Sequence, residues 1–155
     1  MIIQNNHIVA ADILIVDDDQ AILDALCAGL ALSGITLNIT TAHSADVGYN
    51  SALAQIPDVI VIDYNMPLGN GFELANKIRS RSEFKATKLL MLTAQNTHDK
   101  AWASIEHRID AFIGKPFDIE DIEANIFSLL SQIYEKMPRH NPPVRSKNSK
   151  ERKRF

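Results

Sequence analysis

The chain has 155 residues, 46% hydrophobic and 23% charged, an ordinary balance for one globular domain with enough length to bury a core. No apolar run approaches the ~20 residues needed to cross a bilayer. Met1 to Ala10 holds neither a basic cluster nor a long apolar stretch, so no signal peptide is expected.

The one cysteine, Cys27, excludes an internal disulfide and a cysteine-built zinc site. It falls on the first predicted helix and reads as a buried, inert thiol; this composition points to the cytoplasm. The net charge of −3 is uneven: Arg139 to Phe155 holds seven Lys or Arg against one acid, a net +6, which leaves −9 for the rest. The acidic body suits cation binding. The segment after Met137 contains Pro138, Pro142 and Pro143 with few apolar residues, and is expected to be disordered or loosely attached.

Strand and helix signals alternate five times. The first strand is predicted over Asp12 to Val16. Asp19 caps a helix with an apolar face of Ile22, Leu23, Leu26 and Leu30, stopped by Ser33-Gly34. The second strand, Thr36 to Thr41, alternates Leu37 and Ile39 with polar neighbours, as an edge strand does. Ser44 caps a helix that ends before Pro57. The third strand is Asp58 to Ile62, followed by the turn formers Asn65 to Gly71 and a helix over Phe72 to Ser80. The fourth strand is Thr87 to Leu92. A polar loop, Ala94 to His98, leads to a short fourth helix over Asp99 to Glu106. The fifth strand is Asp110 to Gly114. Asp118 then caps a last helix with Ile119, Ile122, Ile126, Leu129, Leu130 and Ile133 at helical spacing. Five strand–helix units with right-handed crossovers give an α/β, doubly wound, three-layer α/β/α domain.

Four of the apolar runs end on groups suited to phosphate. Ile13 to Val16 leads into Asp17-Asp18, Val59 to Ile62 into Asp63, Leu89 to Leu92 into Thr93, and Ala111 to Gly114 into Lys115. Ligands of open α/β sheets lie beyond the carboxyl ends of the strands, so neighbouring strands would gather all of these at one edge. Three close carboxylates repel unless a cation neutralises them, and a donor set of hard oxygens suits Mg²⁺ or Mn²⁺. Asp18 and Asp63 are expected as direct ligands, Asp17 directly or through water, and the main-chain carbonyl of Asn65 as a further oxygen. Taken singly, each aspartate is equally well a helix cap or a strand-end turn residue. A carboxylate can attack a phosphoryl donor in line. The transferred oxygens then need the Lys115 ammonium, the Thr93 hydroxyl and the backbone N–H groups of Asn65 and Ala94. The Lys115-Pro116 bond is a candidate cis peptide.

Ile13 to Asp19, Val61 to Pro67, Leu92-Thr93-Ala94 and Gly114 to Phe117, in that order and spacing, resemble the receiver domain of two-component response regulators. The resemblance covers roughly Ala11 to Lys136. It leaves residues 1–10 as an N-terminal extension and 137–155 as a basic tail. It implies a flavodoxin-like fold with a five-stranded parallel sheet in order 2-1-3-4-5, the order of chemotaxis receivers. It implies that Asp63 is the phosphoacceptor, taking the group from a phosphohistidine of a sensor kinase or phosphotransfer protein, with Mg²⁺ required. It also implies a switch in which Thr93 moves toward the phosphoryl group and Phe112 rotates into the vacated space; core packing alone also accounts for Phe112. Asn65 and Gln95, each two residues past a site residue, border the attacking water and tune phosphoryl lifetime in such domains. Trp102 reads equally as core or as part of the face of the fourth helix, fifth strand and fifth helix, through which the family often meets its partners. Asn70 stands where the family often has an acid, outside the cation shell.

The leading expectation is a stand-alone phosphoacceptor that signals by protein–protein contact, since 19 residues after Lys136 are too few for a folded output domain. Homodimer formation stays open. The alternative is a receiver-gated nucleic-acid or anionic-surface binder acting through the basic tail, although Phe155 is its only aromatic. A metal-dependent phosphohydrolase is disfavoured because Tyr64-Asn65 follows Asp63 in place of an Asp-x-Asp start. Slow autodephosphorylation is expected, but no turnover of a separate substrate. The five histidines show no metal-ligand spacing, and no Walker loop, nucleophile elbow or dinucleotide fingerprint is present.

Overall fold

The computed structural model describes residues 1–4, 7–67, 71–94 and 106–136. The predicted fourth helix with Trp102, Gln95, Asn70 and the basic tail lie outside the described residues.

Six strands form one sheet: β1 (Ile2–Gln4), β2 (His7–Val16), β3 (Thr36–Ala42), β4 (Val59–Asp63), β5 (Lys88–Ala94) and β6 (Ala111–Lys115). The helices are α1 (Gln20–Leu30), α2 (Ala45–Ala54), α3 (Gly71–Arg79) and α4 (Ile119–Lys136). The parallel order is β3-β2-β4-β5-β6. That is the expected 2-1-3-4-5 order once the short β1 is set aside. β1 pairs antiparallel with the first half of β2, which therefore begins at His7, five residues before the predicted start.

The β2 to β6 ladder divides its side chains between two cores by the period of two that strands impose. Ile13 and Ile15 of β2, Val59 and Val61 of β4, and Leu90 and Leu92 of β5 pack against α1 and α4, where Leu26, Ile122, Ile126 and Leu130 are buried. Leu14, Val16, Ile60, Ile62, Leu89 and Met91 face the other way, onto Ala52 of α2 and Leu74 and Ile78 of α3. The central strand β4 is buried along its whole length, whereas β3 alternates exposed with half-buried positions, as its edge place requires. Cys27 is half-buried rather than fully enclosed.

Helix starts follow the sequence signals. The Asp19 side chain accepts the Ala21 N–H at 2.9 Å, and Ser44 Oγ accepts the Val47 N–H at 3.3 Å. Asp118 precedes α4, and its carbonyl accepts the Asp121 N–H at 3.2 Å. Because the long strands run in parallel, all of them point their carboxyl ends at one pole of the domain, and Asp17, Asp63, Thr93 and Lys115 sit there.

Candidate functional site

Register alone brings the polar tips level. Val16 pairs with Ile62, so Asp17 stands beside Asp63. Asp63 pairs with Leu92, Thr93 with Gly114, and Ala94 with Lys115. Backbone bonds carry the ladder past the strand ends: Asp17 N–H donates to Ala42 O at 3.1 Å, and Tyr64 N–H to Leu92 O at 2.8 Å. Asp17 and Asp63 are 1% and 3% exposed, while Asp18 is open to solvent. One carboxylate oxygen from each of Asp17, Asp18 and Asp63 lies within 4.8 Å of the other two.

Lys115 reaches into this cluster. Its Nζ lies 3.0 Å from Asp63 Oδ1 and 3.2 Å from Asp17 Oδ2. The Asp17 contact is a hydrogen bond, and Asp17 Oδ1 accepts the Asp19 N–H at 2.9 Å, so both oxygens of Asp17 are engaged. The Asp63 contact is an ion pair, so Asp63 Oδ1 is buried with an ammonium beside it. Asp18 makes no hydrogen bond or ion pair among the described residues.

The electrostatics follow from burial. Desolvation pushes the Asp63 carboxyl above the usual carboxylate range. Lys115 and the Asn65 backbone N–H pull it down and Asp17 pushes it up, and the net direction is upward. Desolvation works against the Lys115 ammonium, but Asp63 and Asp17 together outweigh it, and its pKa is raised. Three ionised carboxylates and one ammonium leave the cluster at −2. A divalent cation would cancel that charge. A donor set of hard carboxylate oxygens, two of them on buried residues, fits Mg²⁺ in its chemistry.

The remaining predicted residues are near, but not all aim inward. Thr93 is buried, and its Oγ1 donates to the Ala94 carbonyl at 3.1 Å. Phe112 is half-buried against the core under α2 and α3. The Asn65 side chain is on the exposed side of the loop, and its backbone N–H serves the Asp63 carboxylate. The Lys115-Pro116 bond is cis.

One residue at the site escaped the sequence reading. Gly71, taken there as a turn former, opens α3 against the backbone carbonyl of Asp63 with no room for a side chain. A glycine at a helix start a few residues beyond a strand-end acid is the signal that could have marked it. The ion pair of Lys115 with Asp17 is a second addition, because the sequence reading set Lys115 to face Asp63 and its phosphoryl group and named no pair with Asp17.

Residues 13–127 match the family model of the response regulator receiver domain. The chain is 35% identical over 119 residues to the response regulator ArlR of Staphylococcus aureus, covering 76% of this chain and 52% of that protein. It thus spans about half the length of the curated relatives it matches. Among solved structures it resembles the chemotaxis protein CheY4 of Vibrio cholerae, with 28% identity and a TM-score of 0.68 over 78% of this chain and 99% of that one. It also resembles a CheY-like receiver domain protein of Methanospirillum hungatei, with 26% identity and a TM-score of 0.72 over 81% and 98% of the two chains. No described helix is long and apolar enough to cross a membrane. With its strand tips, acidic cluster and lysine arranged as above, the chain belongs to the response regulator receiver family of two-component signalling.

Proposed function

We propose that Asp63 is the phosphoacceptor of this receiver, charged by a phosphohistidine of a sensor kinase or phosphotransfer protein. The observation that carries the reading is the setting of the Asp63 carboxylate: buried, with the Lys115 ammonium 3.0 Å from Oδ1 and the Asp17 and Asp18 carboxylates grouped with it. A carboxylate placed that way can attack phosphorus in line, with positive charge already at hand for the arriving oxygens. The new bond joins an Asp63 carboxylate oxygen to phosphorus. The bond that breaks is P–N, and its electron pair returns to the imidazole nitrogen.

Asp18 and Asp63 are the residues to hold Mg²⁺ directly, with Asp17 and the Asn65 carbonyl completing the set. Bound there, the cation supplies positive charge to the phosphoryl oxygens. The chain's own residues do the rest. Lys115 shifts its charge from the two carboxylates to the arriving oxygens. Thr93 turns its hydroxyl from the Ala94 carbonyl toward the phosphoryl group, and the backbone N–H groups of Ala94 and Asn65 add donors. Asn65 and Gln95 govern access of the hydrolytic water, so the acyl phosphate decays slowly and no separate substrate is turned over.

The receiver unit is taken as 11–136, with 1–10 as an extension that adds the antiparallel strand and 137–155 as a basic segment. Its readout is a change in protein–protein contact, most simply on the face around β6 and α4, and its place is the cytoplasm. The test is exposure to a small acyl-phosphate donor with Mg²⁺, followed by intact mass. One phosphate should be gained by the wild type and none by Asp63→Asn. A wild type that stays unmodified in the presence of Mg²⁺ overturns the reading.

A further inference from the structure

The outer strand β3 leaves one edge of the sheet open. Among the described residues it pairs with β2 alone, residue for residue from Thr36 to Ala42, with no bulge. The Asp17 N–H donates to Ala42 O, so the backbone groups of Ala42 point toward β2. Along a strand these groups alternate between the two sides, and the N–H and C=O of one residue share a side. Those of Leu37, Ile39 and Thr41 therefore point outward, away from β2. Thr36, Asn38, Thr40 and Thr41 are exposed, and Leu37 and Ile39 are half-buried, so a partner can reach the edge along most of its length.

An open edge is a template for another strand, and folded proteins blunt it with lysine, proline, a bulge or short length. The other outer strands here are blunted. β1 has three residues and a register shift between Ile2 and Ile3, and β6 has five residues and ends on Lys115. β3 has seven residues and carries no lysine, no proline and no bulge. It lies within Ala25 to Ala45, a run of 21 residues without a single Asp, Glu, Lys or Arg. Thr36, Ile39, Thr40 and Thr41 are β-branched, the residue type that suits a paired strand.

We infer that β3 is a self-association edge, through which two copies of this chain join their sheets into one. A strand paired antiparallel with its own copy closes about a twofold axis, so the product is a dimer and not a filament. With the axis at Ile39, that residue meets its own copy, and Leu37 of one chain meets Thr41 of the other. All three carry outward backbone groups, so these pairs exchange about six hydrogen bonds. Charge selects the occupant. The chain before Arg139 carries a net −9, so apposed copies repel unless they meet on an uncharged surface, and β3 supplies one. An acidic or basic peptide would find no countercharge among the side chains of β3.

The test is sedimentation equilibrium of the full, unphosphorylated chain, paired with amide hydrogen exchange read by NMR, across a concentration series. A dimer is expected to form below about 1 mM. As it forms, the amides of Leu37, Ile39 and Thr41 should gain protection, while those of Asn38 and Thr40, which already face β2, are protected at every concentration. Thr41→Lys sets a solvated charge on the edge, and Thr41→Pro removes an outward donor without touching a bond to β2. Each should weaken the dimer by at least about tenfold. The Thr41 side chain is exposed, and unchanged protection of Asn38 and Thr40 shows that β3 is in place in both variants. Four results overturn the proposal. They are a monomer up to about 1 mM, which leaves the edge to a different partner; a dimer that leaves the three outward amides unprotected; a dimer as tight in both variants as in wild type; and outward amides already protected in the dilute monomer, which would mean that the chain's own residues cover the edge.

Discussion

Gly71 stands against the backbone carbonyl of Asp63, so the first residue of α3 and the last residue of β4 share one van der Waals boundary. A Cβ at Gly71 would overlap that oxygen, and would come to 2.7 Å from Ile62 Cγ2 and 3.0 Å from the Asp63 carbonyl carbon. The strand cannot retreat freely, because β4 is bonded to a neighbour on each side and the Gly71 N–H holds Tyr64 O at 3.1 Å.

Gly71→Ala is therefore expected to destabilise the fold by about 1–3 kcal/mol, the usual cost of overpacking. Helix propensity alone gives the opposite sign, a gain of about 0.5–1 kcal/mol. Urea unfolding separates the two. The same substitution should slow acyl-phosphate labelling, because it pushes on the backbone that carries the nucleophile. A variant as stable and as reactive as wild type would show that the boundary gives way without consequence.

Asp63→Asn should stabilise the protein at neutral pH. The folded-state pKa of Asp63 is raised, chiefly by burial, so its ionisation is penalised in the fold relative to the unfolded chain. Between the ordinary carboxylate pKa and the raised one the native state binds more protons than the unfolded state, and stability falls as pH rises. Asparagine removes that penalty. The expected result is a Tm gain at pH 7 that shrinks to nothing once the pH drops below the ordinary carboxylate range. A gain independent of pH, or a loss at pH 7, contradicts the electrostatic account.

Magnesium should raise the Tm of the wild type, since a ligand that binds only the native state stabilises by RT ln(1 + [L]/Kd), about 2.7 kcal/mol at a hundredfold excess over Kd. The variants separate two contributions. Asp18 is exposed and makes no hydrogen bond or ion pair among the described residues, so Asp18→Asn should abolish most of the magnesium shift and leave the metal-free Tm nearly unchanged. Asp17 is buried against Lys115, so Asp17→Asn should weaken the magnesium shift and also lower the metal-free Tm. Differential scanning calorimetry with and without EDTA reads both. Equal magnesium shifts in wild type and Asp18→Asn would remove Asp18 from the ligand set.

The strand–helix alternation was legible because each buried strand is a short run of Ile, Leu, Val or Met bounded by polar residues, and because Asp19 and Ser44 are strong caps. The strand-end polar groups were legible for the same reason: four of the apolar runs stop on one, at Asp17, Asp63, Thr93 and Lys115. β1 was not legible. Ile2 to Gln4 is too short for a period to register, and its stability comes from pairing with β2 rather than from its own sequence. The bridge from Lys115 to Asp17 spans 98 positions and depends on the order of strands, which no local pattern carries. The Thr93 hydroxyl shows another limit. The residue could be placed at the site from sequence, but not the rotamer that sends its proton to the Ala94 carbonyl.

That rotamer defines the last prediction. Thr93 Oγ1 donates to Ala94 O at 3.1 Å, and Phe112 packs half-buried two strand positions before Gly114. If a phosphoryl group on Asp63 draws the hydroxyl inward, the loss of one neutral hydrogen bond costs about 0.5–1.5 kcal/mol. A charge-assisted bond, roughly twice as strong, replaces it, so the exchange is favourable. Thr93→Ala should still gain one phosphate by mass, because Thr93 is not the nucleophile. It should lose most of the phosphorylation-dependent change in the Phe112 ring resonances, and Thr93→Ser should retain that change. A Phe112 response of the same size in Thr93→Ala would mean that the ring senses Asp63 by another route, and that the hydroxyl is a strand-end group with no part in the switch.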